Sequence, residues 1–206
     1  MKFLDALLGR SKPKQPKLDA LFGVTGAAIT LEAAAGMKPT GQAAVCFKPA
    51  SGQGFAAASE ELKGLLELAV KEAGSTLRIS DDRYGYRWVV LADPEMEDLV
   101  TSVHLVNSTL EQHGFGPQLL CSLFAFAEGS GGLTERSDSP PGSPPEGQRV
   151  HLVYLYKRGT FYPFAPLGGE RRDNELELRV KASLGGDLPV EPELARWFAL
   201  WGLPLD

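Results

Sequence analysis

Residues 75–95 read STLRISDDRYGYRWVVLADPE. Two runs rich in β-branched and aromatic residues, TLRIS and YGYRWVVLA, flank the polar turn SDDRY, which is the composition of a β-hairpin. Asp81 and Asp82 fall in that turn, where aspartate is favoured because its carboxylate bonds to nearby backbone. They read as turn residues, not as a catalytic carboxylate pair. Pro94, with Glu95 and Glu97 behind it, then opens a helix, since proline suits the first turn and acids suit the helix dipole. Leu99, Val103, Val106 and Leu110 make its apolar stripe, and HGFGP closes it. Paired strands joined by a short turn and followed by a helix imply an antiparallel sheet carrying helices, not a doubly wound fold.

The segments on either side fit that frame. Upstream, QAAVCFKP is a strand stopped by Pro49. Phe55 to Ala73 is an amphipathic helix with Leu62, Leu65, Leu66, Ala69 and Val70 on one face, ended by Gly74. A helical segment near Leu18–Phe22 continues toward Ala27–Ala35, with Gly23, Gly26 and the pair Ile29 and Thr30 weakening it. Downstream, LLCSLFAFA is apolar on both faces and therefore central, and RVHLVYLY resumes the sheet. Arg171 to Ser183 reads as a helix with Leu176, Val180 and Leu184 inward. Pro192 opens a last helix, with Leu194, Trp197, Phe198 and Trp201 along one side. Residues 129–148, GSGGLTERSDSPPGSPPEGQ, are too polar and proline-rich to pack. The expected class is α+β: an antiparallel sheet of about five strands with helices packed on it. From Phe55 the order α-β-β-α-β-β-α is similar to the secretion-chaperone-like fold. Residues 1–17 form a basic amphipathic arm and linker, and residues 18–206 a single domain.

At 206 residues the chain is long enough to bury a sizeable core. Its 43% apolar and 23% charged residues match an ordinary globular protein. The net charge of −5 argues against nucleic acid as a partner, because a phosphate binder shows a basic face. Charge is unevenly placed. Residues 1–17 carry Lys2, Arg10, Lys12, Lys14 and Lys17 against Asp5, a net of +4, which leaves −9 on the rest. Cys46 and Cys121 sit in apolar strand-like runs and read as buried free thiols. MKFLDALLG is not read as an export signal, because Asp5 interrupts it, its cations follow it, and no small-residue cleavage site appears. No uninterrupted run of 18 apolar residues occurs either, so the expected location is the cytoplasm.

The sequence places few groups for chemistry. His104, His113 and His151 are scattered and lack partners at metal-ligand spacing. No nucleophile elbow and no phosphate-binding loop is present. The expectation is no enzyme, no metal and no cofactor. Two surfaces suggest contact instead. In YLYKRGTFYPFAP, Lys157–Thr160 is a turn, and Pro163 restricts the following segment to an edge strand or a cover on the sheet. Tyr156, Lys157, Arg158, Phe161, Tyr162 and Phe164, with Trp197 and Trp201, are the candidate partner-binding set, since Arg, Tyr and Trp are favoured anchors. The competing reading is that Phe161 and Phe164 simply plug the core. In the arm, Phe3, Leu4, Leu7 and Leu8 recur at helical spacing, and Arg10, Lys12 and Lys14 follow. These seven are the candidate membrane-binding residues. An apolar face plus a basic tether suits an anionic membrane surface, each cation adding about 1 kcal/mol. The alternative is that the arm docks on this domain or on a partner protein.

FLDALLGRSKPKQPKLDALF, YGYRWVV, HLVNSTLEQHGFGPQLLCSLFAF, LVYLYKRGTFYPFAPLGGERRDNELELRVKASL and LPVEPELARWFALWG together resemble the PspA-associated protein PspAB family. The likeness covers nearly the whole chain, with the proline-serine insert as its expected departure. It implies a bacterial cytoplasmic protein of the phage-shock, or envelope-stress, system. It also implies PspA, a membrane-remodelling coiled-coil protein, as partner, and an HtpX-type membrane metalloprotease in the same system. It brings no catalytic residues. The resulting expectation is a non-enzymatic adaptor working near the inner face of the plasma membrane. The alternative is a chaperone-like module that holds a client segment on its sheet.

Overall fold

A computed structural model describes residues 17–73, 75–129 and 148–205. The arm residues Phe3, Leu4, Leu7, Leu8, Arg10, Lys12 and Lys14, and insert residues 130–147, lie outside the described residues. A short 3-10 turn, Leu18–Phe22, leads into α1, Gly23–Ala35, followed by β1, Met37–Phe47, and α2, Gln53–Ala73. Then come the hairpin strands β2, Thr76–Asp81, and β3, Arg87–Ala92, and the helix α3, Met96–Gln112. The second half runs through β4, Leu119–Glu128, β5, Arg149–Leu155, and β6, Thr160–Phe164. A ribbon of β7, Pro166–Leu167, and β8, Arg171–Arg172, precedes α4, Asn174–Ser183.

The main sheet has six strands in the order β2-β3-β1-β4-β5-β6, every pair antiparallel. The class is α+β, as expected, with one strand more than the sequence suggested. β4 lies near the middle and is buried on both faces, which explains its unbroken apolar run. The helical face holds the larger core, where Leu21 of the 3-10 turn, Val24 and Leu31 of α1 and Leu99, Val103 and Val106 of α3 meet Val45, Leu91, Phe124, Phe126 and Leu152 of the sheet. Within it, the buried Asn107 amide donates to the Val103 carbonyl and to Ser122 Oγ, both at 2.8 Å, tying α3 to β4. The hairpin turn is held as its composition implies: Asp82 accepts from the Tyr84 and Tyr86 amides and from Trp88 Nε1.

α1 is continuous despite its glycines. At Gly23 a Cβ would lie 2.9 Å from Leu188 Cδ2, so the absent side chain lets the helix start against the segment after α4. By mean hydropathy, the helical stretch Leu18–Ala35 is long and apolar enough to cross a membrane, a point the search for an unbroken apolar run misses. Here one side of it is packed into the core, with Leu21, Val24, Ala27 and Leu31 wholly buried and Ile29 exposed. In α2, Leu62 is buried but Leu65, expected on the same face, is exposed, while the side chains of Leu66, Ala69 and Val70 lie outside what is described.

Two helix predictions need correction. α4 begins at Asn174, not Arg171, because Asp173 caps it by accepting from the Leu176 amide at 2.9 Å while Arg171 and Arg172 pair with β7. The last helix does not form. Beyond a single 3-10 turn, Leu194–Arg196, the chain runs irregularly across the sheet's second face. Leu194, in that turn, and Phe198, next to the buried Trp197 in the irregular chain, were both expected to face inward but are exposed.

Truncating the wholly buried Phe126 to alanine is expected to cost about 3–5 kcal/mol, since β4 has helices behind it and cannot collapse into the cavity. Urea unfolding monitored by circular dichroism measures the change.

Candidate functional site

The strap formed by residues 190–205 covers the sheet face opposite the helices. It packs Trp197 and Leu205, with Leu200, Trp201 and Leu203 partly buried, against Ala44, Cys46, Trp88, Val90, Leu123, Val153, Tyr162 and Phe164. An irregular chain leaves its carbonyls without regular partners, and side chains from the sheet and the ribbon supply them. Tyr162 Oη donates to the Phe198 carbonyl at 2.9 Å, Arg172 Nη1 to that of Trp197 at 2.6 Å, and Arg78 Nη2 to that of Pro204 at 2.5 Å. Trp197 Nε1 donates back to the Glu191 carbonyl at 3.1 Å.

Glu191 is the latch. Its side chain is fully buried and accepts from Arg158 Nε at 2.5 Å, Thr160 Oγ1 at 2.8 Å and the Glu193 amide at 3.2 Å. Burial pushes its pKa up, but hydrogen bonds from Arg158, Thr160 and the Glu193 amide outweigh that and hold it below the ordinary carboxylate value. Its own backbone seals the edge of the sheet: Phe161 N donates to the Pro189 carbonyl and Glu191 N to the Phe161 carbonyl. Phe161 therefore turns its backbone groups away from β5, and so does Pro163 two residues on, which is why a proline fits this edge strand. Glu177 does the same at the strand's end, accepting from the Ala165 amide at 2.9 Å and from Arg172.

Between strap and sheet a cavity of about 550 Å³ stays open. That volume lies in the ligand-site range of roughly 300–1,000 Å³. Tyr84, Tyr86 and Trp88 of the hairpin form one side, Phe198, Leu200 and Trp201 the strap side, and Lys157, Arg158 and Arg196 a cationic rim with Asp82 opposite in sign. Cys46 and Cys121, directly opposite each other on β1 and β4, contribute to the lining. Both are free and buried. Hydrogen bonding to Cys121 and burial drive the Cys46 pKa far upward, so this thiol stays protonated and unreactive. Among the described residues no three His, Cys, Asp or Glu side chains come together as a metal site.

A family model described as PspA associated protein B matches residues 1–205. The chain belongs to that family. No curated protein and no solved structure matches it. The family name indicates association with PspA and an accessory role in the phage-shock system, and this is not a known enzyme family.

For a PspA-associated protein the distribution of the candidate partner-binding residues matters. The structure gathers Lys157, Arg158, Tyr162 and Trp201 onto the cavity. Tyr156, Phe161, Phe164 and Trp197 are at most 6% exposed and do not line it. Phe161 and Phe164 plug the core, because β6 alternates between two apolar clusters instead of lying over solvent. Tyr84, Tyr86, Trp88, Phe198 and Leu200 are site residues that sequence reasoning passed over. The first three are spaced by two in a strand-like run, a period that places them on one face and could have marked them.

Replacing Glu191 with glutamine is expected to cost about 1–3 kcal/mol, by leaving Arg158 and Thr160 without their carboxylate. The strap should loosen, and the emission of Trp197 and Trp201 should shift to the red. Because the folded pKa is lowered, the latch contributes fully above the ordinary 4.5 and is lost as pH falls past the folded value. An acid titration of tryptophan emission should therefore show a transition in the wild type that Glu191→Gln lacks. His151, buried against Phe164, loses stability over a different window. Burial, aided by Arg149, lowers its pKa from 6.5 to about 4, so thermal stability should decline as pH falls between those values. His151→Leu should flatten that decline in calorimetry.

Proposed function

We propose that this protein is a non-enzymatic adaptor of the phage-shock system, which takes apolar side chains of a PspA helix into the cavity between strap and hairpin. The observation that carries this reading is an aromatic-walled, charge-rimmed cavity on a chain whose family is named for association with PspA. A coiled-coil partner displays apolar residues at i, i+3 and i+4, and a helix laid in a groove uses such anchors. Tyrosine and tryptophan walls with arginine at the rim have the composition of binding hot spots. The chaperone-like alternative asks for an open sheet face. The strap occupies that face and the helices occupy the other, so little free sheet is left for an extended client.

In this reading the protein works on the cytoplasmic side of the plasma membrane, with Phe3, Leu4, Leu7, Leu8 and the following cations supplying weak, reversible contact with anionic lipid. Such contact keeps the adaptor close to a partner that itself works on membrane.

Binding to purified PspA tests the cavity. Tyr84 and Phe198 are both more than half exposed, so Tyr84→Asp and Phe198→Asp should leave folding intact. Each should weaken PspA binding by about tenfold or more, the effect of losing a hot-spot contact worth ~1.4 kcal/mol. Unchanged affinity in both variants, measured by titration calorimetry, would sink the reading.

A further inference from the structure

The first described residue, Lys17, lies against the turn that forms the cavity rim. A Cβ placed on Gly159 would be 3.6 Å from both the backbone nitrogen and the Cβ of Lys17. Gly159, at φ +67°, belongs to the same turn as Lys157 and Arg158, which line the cavity. The chain that precedes Lys17 therefore joins the described domain beside that turn. Nine positions separate Leu8 from Lys17. Fully extended they reach up to ~30 Å, and even a proline-stiffened linker spans most of that, far more than one turn needs.

We propose that the N-terminal arm is the resident occupant of this cavity: Phe3, Leu4, Leu7 and Leu8 fill it in the free protein and leave it when a partner helix enters. The proposal rests on the cavity being the partner site named above. Three physical features favour the arm over an unrelated molecule. It carries four apolar side chains at a spacing that puts them on one helical face, matching an apolar cavity with aromatic walls. Its net charge of +4 is opposite in sign to the remainder's −9, so the tether is drawn toward the domain as a whole, although the rim cations Lys157, Arg158 and Arg196 oppose it locally. It is also covalently attached, which sets an effective concentration on the order of mM. Docking too weak to survive between separate molecules is then enough to keep the site filled. The same apolar face cannot lie in the cavity and on a lipid surface at once, so partner entry would free the arm for the membrane.

Paramagnetic relaxation tests this with the full chain. A nitroxide on Lys2→Cys sits opposite the apolar face of the arm, and the buried Cys46 and Cys121 are poor competitors for the label. The expected result is strong broadening of the Trp88 and Trp201 indole signals and of Leu200 amides, with α3 amides on the far side of the sheet staying sharp. The broadening should persist on dilution, and Leu4→Asp/Leu7→Asp in the same labelled chain should abolish it. Sharp cavity signals in the labelled wild type would overturn the proposal. Broadening that transfers to nitroxide-free isotopic chain when labelled chain is added would also overturn it, by making a second copy the occupant. Excess PspA should restore the signals. The two readings fail separately: a filled cavity whose arm PspA never displaces would retain the resident arm while removing the partner site. Loss of PspA binding in Phe198→Asp without any arm broadening would do the reverse.

Discussion

A buried carboxylate decides how the C-terminal quarter of this protein is built. Glu191 joins three things through one side chain and its own amide: the turn after β5, the outer side of β6, and the strap over the second sheet face. A buried charge is tolerable only when its oxygens are filled, and here Arg158, Thr160 and the Glu193 amide fill them. Each partner is also structural in its own right, so the latch cannot open without disturbing the sheet edge. Glu177 repeats the arrangement at the other end of the same strand, with Arg172 as its cation. Two buried acids thus hold a segment whose sequence forms no regular element.

Much of the architecture was legible because period and punctuation agree. The β2–β3 hairpin, the helix opened by Pro94 and the doubly apolar β4 follow from local rules that tertiary contacts do not overturn. The failures share a cause. Leu194, Trp197, Phe198 and Trp201 do recur at helical spacing, but the strap's carbonyls find better donors in Tyr162, Arg172 and Arg78, which are remote in sequence. Long-range side-chain donors leave no trace in a local window. Arg171 and Arg172 were absorbed into a helix for the same reason, since their pairing with Pro166 and Leu167 depends on a turn.

The candidate site was half visible. YLYKRGTFYPFAP drew attention by its composition, and Lys157, Arg158 and Tyr162 do reach the cavity. Its phenylalanines went inward, because a strand bearing large apolar residues on both faces is made for burial. The opposite wall comes from Tyr84, Tyr86 and Trp88, between 69 (Trp88 to Lys157) and 78 (Tyr84 to Tyr162) residues earlier in the chain. Nothing local joins those two stretches. They become neighbours because the sheet order leaves only β1 and β4 between β3 and β5, and the strap roofs that face.

The β4–β5 connection carries one more consequence. The strands remain paired to their ends, with Ala127 opposite Arg149 and the Glu128 amide donating to the Gln148 carbonyl. The ladder itself therefore closes this long loop, and closure entropy grows only slowly, by about 0.6 kcal/mol for each doubling of length. The cavity lies by Leu120, Cys121 and Leu155, at the opposite end of the same two strands. Changes of length entering at that end of the ladder are therefore expected to cost little stability and to begin a strand's length away from the cavity.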